Sequence, residues 1–375
     1  MILNYLKALS VFAGTIIGVG IFGLPYVTMK AGFPVMIFYF LVITIFIIIT
    51  HLLYGEIALG TEKLHRFPGY VSEYLGLRWK KITFFVNVFG LTGALLAYLI
   101  VGGKFMELFF APYFGGSNIV YTLIFFAAGA YLVFRDIRSI AKIELSLLFL
   151  FLALLAVLFF KAVPFIDLNY FKAVDWKFFT LPYGVVIFSL WGNALVPEIK
   201  EMLGGSRNML RLVIASGIIL ATIVYLLFIV TVFGVTGLAT TKEAMAGFSS
   251  ALGDGIVKLG FIFGVITTFT SFIALALTLK KTFWYDFGFS KNASWAISCF
   301  APLILFFLGL REFIDIIGFV GAITLGLETT ILIFLYRKFL AIKFSKKAPF
   351  FIYPLVGVLI LGVIFEAIYI FFVKI

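Results

Sequence analysis

The sequence predicts an all-α integral membrane protein of eleven transmembrane helices, two of them broken in mid-span. Three observations carry that expectation. The 375-residue chain is 63% hydrophobic and 12% charged, with 49 Phe, which is more apolar surface than a soluble globule of this length can hide. Apolar runs of membrane-crossing length succeed one another with only short connections. Two runs are interrupted by glycine and proline, at Gly18-Val19-Gly20-Ile21-Phe22-Gly23-Leu24-Pro25 and at Trp191-Gly192-Asn193-Ala194-Leu195-Val196-Pro197.

A membrane helix needs about 20 mainly apolar residues. On that measure the spans fall near 5–30, 34–59, 83–110, 118–134, 142–163, 181–203, 210–238, 256–285, 293–310, 313–336 and 349–373. The first run is longer than a signal-peptide core and has no small-x-small cleavage site, so it counts as a span. Lys7; Lys63, Arg66, Arg78, Lys80, Lys81; Arg135, Arg138, Lys142; Lys200, Arg207, Arg211; Lys280, Lys281, Lys291; and Arg337, Lys338, Lys343, Lys346, Lys347 fall on the side of the N-terminus, 20 of the 29 basic residues. The bias predicts a cytoplasmic N-terminus and, with eleven spans, a C-terminus outside the cell membrane. Residues 61–81 form the most polar long loop, where Tyr70, Val71, Tyr74 and Leu75 are spaced as one face of a short interfacial helix. The external stretch 164–180 reads as a second surface segment.

The formal charge of +12 is scattered in short clusters between apolar runs, a topology signal and not a nucleic-acid face. One cysteine, Cys299, and two histidines exclude a disulfide framework and a Cys-based metal site. Gly18 to Gly23 matches G-x-G-x-x-G, but no strand precedes it and residues 38–45 offer no acid for a ribose hydroxyl, so no dinucleotide or other cofactor is expected.

In lipid, each backbone group outside the helical ladder is expensive unless protein, water or ligand satisfies it. Glycines lower helix propensity and Pro25 removes an N–H, so the first span should divide into an inner half ending near Ile17 and an outer half starting near Gly23. The outer half would turn N–H groups and a positive dipole end toward the midplane, a carboxylate site. The inner half's last carbonyls, with those before Gly192, would face a cation. A single break also suits a proline-kinked helix packed through its glycines. Two matched breaks point to a secondary transporter of a small zwitterion such as an α-amino acid.

Gly14-Thr15-Ile16-Ile17-Gly18-Val19-Gly20-Ile21-Phe22-Gly23-Leu24-Pro25-Tyr26 resembles the first helix of permeases of the amino acid–polyamine–organocation superfamily. Phe67-Pro68-Gly69-Tyr70-Val71-Ser72-Glu73-Tyr74-Leu75-Gly76, Ala97-Tyr98 and Val196-Pro197-Glu198 are similar to that superfamily too, nearest the amino acid/auxin and aromatic amino acid permease branch. The resemblance implies a leucine-transporter-like fold: two inverted five-helix repeats, about 5–163 and 181–336, plus an extra helix near 349–373. It implies that Gly18, Val19, Gly20 and Gly23 bind substrate carboxylate, and that Trp191, Gly192 and Asn193 help bind the amine and side chain. Tyr98 would reach the carboxylate, and Phe188 and Trp191 would close over the substrate.

Thr267, Thr268, Thr270 and Ser271 cluster in the eighth span, where such hydroxyls ordinarily bond back to the preceding turn. Thr270-Ser271-Phe272-Ile273-Ala274 resembles the eighth helix of sodium-coupled relatives. On that likeness Thr270 and Ser271 hydroxyls, with carbonyls of Thr267, Gly14 and Ile17, would form a five-oxygen sodium shell. Proton-coupled relatives place a lysine on the fifth helix; here Lys142 and Lys161 lie only at its ends. Among Glu56, Glu107, Glu144, Glu198, Glu328 and Glu366, Glu328 lies deepest and is the candidate proton carrier. Glu198, following Pro197, reads as structural or gating, and His51 as a satisfied packing residue.

The expectation is therefore a non-enzymatic permease, a symporter of neutral or aromatic amino acids driven by sodium or protons, for which a monomer in the bilayer suffices. Acid pairs for Mg²⁺ and filter sequences, which an embedded transferase or a channel would need, do not occur. An amino acid exchanger, or a carrier of an inorganic or metal ion through Asn193, stays open on the same fold.

Overall fold

The computed structural model describes residues 2–136, 140–244 and 254–373, and all regular structure among them is helical. Arg138 falls outside the described residues, as do the side chains of Lys142 and Glu144. Seven helices are long and apolar enough to cross a membrane, and the bent pair of the first span makes an eighth. The shorter helices Asn118–Phe134 and Lys291–Phe307 and the divided sixth span complete eleven.

The first span runs as Ile2–Ile16, a 3-10 turn Val19–Phe22, and Leu24–Ala31, with a 46° bend between its halves. Pro25 sits in the first turn of the outer half, where its missing N–H has no ladder bond to lose. Gly32, at φ +96°, reverses the chain where a Cβ would lie 2.3 Å from the Ala173 carbonyl. The second span follows as Phe33–Gly60 and the third as Leu77–Phe114. Along the second, Tyr39, Phe40, Ile43, Phe46 and Ile47 are buried, while Phe38, Leu41, Val42 and Ile45 are exposed on the face left for lipid.

The sixth span is Pro182–Leu190, a 3-10 turn Asn193–Leu195, and Val196–Met202. The tenth changes pitch instead of breaking, with Phe313–Phe319 passing through a π-helical stretch, Val320–Leu325, into Gly326–Phe344. The seventh, Arg207–Thr236, packs along both halves of the first and along the second. The eighth, Asp254–Lys281, packs against the third, and the eleventh, Tyr353–Ile368, against the tenth.

The helix inside 61–81 covers Phe67–Leu75, but its aromatic face does not lie on lipid. Tyr70, Val71 and Tyr74 are buried, with Tyr70 edge-on to Tyr54 and Tyr74 to Phe339. Aromatic rings on the facing spans give that face a protein partner. Residues 163–178 form three 3-10 turns, two of them capped by Asp167 and Asp175. Beyond the fourth span, Asp136 holds buried Lys280 at 2.6 Å and Lys291 at 2.5 Å. Burial pushes the Asp136 carboxyl up, but the two ammonium groups outweigh it and hold the group below the ordinary carboxylate range.

The outer half of the sixth span meets the tenth through bare backbone. A Cβ on Gly321 would lie 1.8 Å from the Gly184 carbonyl, and one on Gly184 would lie 2.2 Å from the Gly318 carbonyl. Gly321→Ala should therefore destabilise the protein by about 1–3 kcal/mol, the usual cost of overpacking. A thermal unfolding scan of the purified protein should show it, with Gly357→Ala, where no atom lies within 4 Å, unchanged as the control.

Candidate functional site

A partly open cavity with about 730 Å³ of empty space lies between the two breaks and the third and tenth spans. Residues in and beside both breaks border it, among them Thr15, Ile16, Gly20, Ser189 and Gly192. Gly20 allows the close approach, because a Cβ there would meet the Ser189 hydroxyl at 2.4 Å. The third span contributes Asn87, Gly90, Leu91, Ala94 and Tyr98, one helical face by their spacing.

Of the residues expected to bind substrate, Gly20, Tyr98, Phe188, Trp191 and Gly192 line this cavity. Gly18, Val19, Gly23 and Asn193 do not. Gly18 lies beneath the Tyr98 hydroxyl, which a Cβ would meet at 2.1 Å, and the Val19 backbone bonds the same hydroxyl. Gly23 faces Ile314 and Ile317 of the tenth span, and its N–H donates to the Gly20 carbonyl at 3.1 Å. The break closes into a 3-10 turn, so the outer half presents less free backbone than an abrupt restart would. Asn193 is buried behind the wall and its Nδ2 donates to Glu328 Oε1 at 3.0 Å.

Two residues not expected to take part hold the breaks in shape. The buried Tyr225 hydroxyl lies 2.5 Å from the Ile16 carbonyl and 2.7 Å from the Ser189 carbonyl, shared between one break and the other. His51 Nε2 accepts the Gly192 N–H at 3.0 Å, which leaves Nδ1 to donate to the Ile47 carbonyl at 2.9 Å. His51 is thus satisfied, as expected, but its partner is an orphan donor of the sixth-span break. Nothing local in sequence marks Tyr225, which is one of 17 tyrosines.

A smaller cavity is lined by Gly14, Ile17, Thr267, Thr270 and Ser271, all five candidate ion-binding residues, with Leu148 and Phe151 of the fifth span. Thr270 Oγ1 donates to the Thr267 carbonyl at 3.1 Å, and Thr268 Oγ1 to Gly264 at 2.6 Å. The Ser271 hydroxyl bonds that of Tyr98, so one contact separates the two cavities.

The contacts on the two faces differ. Away from the N-terminus, Phe22 sits edge-on to Phe105 at 4.6 Å and Phe228 at 5.9 Å, near the glycine interlock of the sixth and tenth spans. On the N-terminal face, Arg66 pairs with Glu198 at 2.6 Å, and Lys200 donates to the Ala58 and Thr61 carbonyls at 2.5 and 3.1 Å. Glu56 is held by Arg207 and Arg211, and Glu107 by Lys104, away from the cavity.

A cavity walled by two broken helices, with separable contacts on either side, defines a secondary transporter that works by alternating access. The profile of the tryptophan/tyrosine permease family matches residues 2–374. The chain belongs to that family and is a secondary transporter of amino acids. It is 25% identical over 337 residues to the tyrosine-specific transport system 1 of Haemophilus influenzae, covering 82% of each chain. Its fold is similar to that of MhsT in complex with L-phenylalanine (TM-score 0.73, 15% identity, 98% and 97% covered). It is also similar to Mhp1, a nucleobase-cation-symport-1 family transporter in a closed conformation with bromovinylhydantoin bound (TM-score 0.65, 14% identity, 97% and 92% covered). These likenesses establish the leucine-transporter-like fold.

Removing the Tyr225 hydroxyl takes away the one donor shared between the Ile16 and Ser189 carbonyls, at about 1–3 kcal/mol. Tyr225→Phe should raise the half-saturating substrate concentration at least about tenfold in vesicle uptake, while the protein still elutes as a single species.

Proposed function

We propose that this chain imports an aromatic amino acid, with the N-terminus in the cytoplasm, by sodium-coupled symport within the amino acid–polyamine–organocation superfamily. The observation that carries the substrate class is the cavity wall. Beside the break backbone stand Leu91, Leu195, Leu275, Val320, Leu325 and Trp191, apolar surface shaped for a large side chain. Among the described residues on that wall no lysine or arginine occurs, which disfavours an anionic side chain. The relative named for tyrosine transport and the phenylalanine bound to MhsT support the same class.

Orientation rests on the basic residues of alternate loops. Coupling to sodium rests on the coincidence of five oxygen-bearing positions around one small cavity next to the first break. Tyr98 would orient the substrate carboxylate, and Phe188 and Trp191 would cover the bound molecule. Substrate and ion together would bias which face of the carrier opens. Glu328, which is buried at the main cavity, supports a second reading in which protons drive transport.

Uptake of labelled amino acids into proteoliposomes, with sodium and pH gradients imposed separately, separates these readings. Sodium should accelerate aromatic uptake, and Thr270→Ala with Ser271→Ala should abolish that acceleration. Unchanged sodium dependence in the double variant refutes the ion site. Uptake that needs neither gradient but requires internal amino acid identifies an exchanger.

A further inference from the structure

A carboxylate on an apolar cavity wall is expensive to keep, and Glu328 is kept there by two amides. Asn193 Nδ2 donates to its Oε1 at 3.0 Å and the Asn87 side chain bonds it from the third span. Asn193 belongs to the sixth-span break, so the pair brings the carboxyl group beside the substrate-binding backbone. A carboxylate offers about four acceptor sites, and two donors leave capacity facing the cavity. A second acceptor, Asn193 Oδ1, is buried without a partner. A carboxylate that lines an otherwise apolar groove calls for a donor that arrives with the ligand.

The groove is elongated. Asn87, Gly90, Leu91, Ala94 and Tyr98 share one face of the third span, so the cavity follows that helix for about three turns, roughly 16 Å. Gly90 and Ala94 keep the face flat where a ring would lie. We propose that Glu328, positioned by Asn193 and Asn87, is a specificity-determining residue that accepts a hydrogen bond from the ring substituent of the substrate. It would favour amino acids carrying a phenol O–H or an indole N–H over phenylalanine. The proposal rests on the aromatic-substrate reading above. Discrimination of this kind is strong because an analogue without the donor leaves a buried acceptor unpaired.

The full chain in proteoliposomes gives the test, with labelled phenylalanine and labelled tyrosine each competed by tyrosine, tryptophan, phenylalanine and O-methyltyrosine. The last keeps the phenolic oxygen but has no proton to donate. In the wild type, tyrosine and tryptophan should compete at least about tenfold better than phenylalanine and O-methyltyrosine. Glu328→Met, similar in volume and without an acceptor of comparable strength, should bring the four to within about twofold by improving phenylalanine. Where Glu328→Met fails to fold, Glu328→Gln serves instead, whose weaker carbonyl acceptor should narrow the preference to within about threefold. Equal competition by all four overturns the proposal while leaving aromatic transport intact. So does a Glu328→Met protein that keeps its preference and loses only its response to a pH gradient. Uptake of no amino acid at all removes the underlying reading instead.

Discussion

Satisfaction of main-chain polar groups at two points inside the bilayer is the constraint on which the rest of this structure depends. A broken helix in hydrocarbon exposes N–H and C=O groups that lipid cannot bond. Here the breaks are relieved from outside their own spans. Tyr225 of the seventh span meets carbonyls of both, and His51 of the second accepts the Gly192 N–H. The broken spans therefore cannot move independently of the helices that bond them. Each 3-10 turn also retains part of its own bonding, such as Gly23 N–H to Gly20 and Leu195 N–H to Gly192. The residues of the breaks that border the cavity are accordingly few, Gly20 and Gly192 among them.

The contrast between the faces follows from the same medium. Away from the N-terminus, closure is made by ring edges and by glycine backbones in contact, which need close fit and no counter-ion. On the N-terminal face it is made by Arg66–Glu198 and by Lys200 on two carbonyls. The Arg66 and Glu198 side chains are 19% and 25% exposed, so water can reach the pair only in part. Parting the N-terminal contacts would mean hydrating a few charges, whereas parting those on the other side would mean separating packed rings and glycine backbones.

The spans, both breaks and the smaller cavity were legible in sequence because their signals are local. Glycine and proline act on the helix that contains them, and Thr267, Thr270 and Ser271 lie within two turns of one helix. Tyr225, Asn87 and the partner of His51 were not legible. Tyr225 reaches Ile16 across 209 positions and His51 reaches Gly192 across 141, so only the assembled fold pairs them. Gly18, Val19 and Gly23 were placed with the substrate because propensity marks where a helix breaks but not which way the resulting turn faces. The aromatic face of Phe67–Leu75 was misassigned for a related reason, since apolar spacing does not distinguish lipid from a protein groove.

Tyr98 links the two cavities. Its hydroxyl bonds Ser271, which borders the smaller one, and the backbone of Val19 in the first break, while its ring lines the larger one. Any occupant of the smaller cavity that draws on the Ser271 hydroxyl changes what Tyr98 can offer to the larger. Thermodynamic linkage makes the effect reciprocal, so a ligand in the larger cavity alters affinity in the smaller by the same factor. Gly18 tightens the link, because the tyrosine hydroxyl rests where any side chain at that position would begin. Tyr98 thus stands where a ligand in either cavity would be felt by the other.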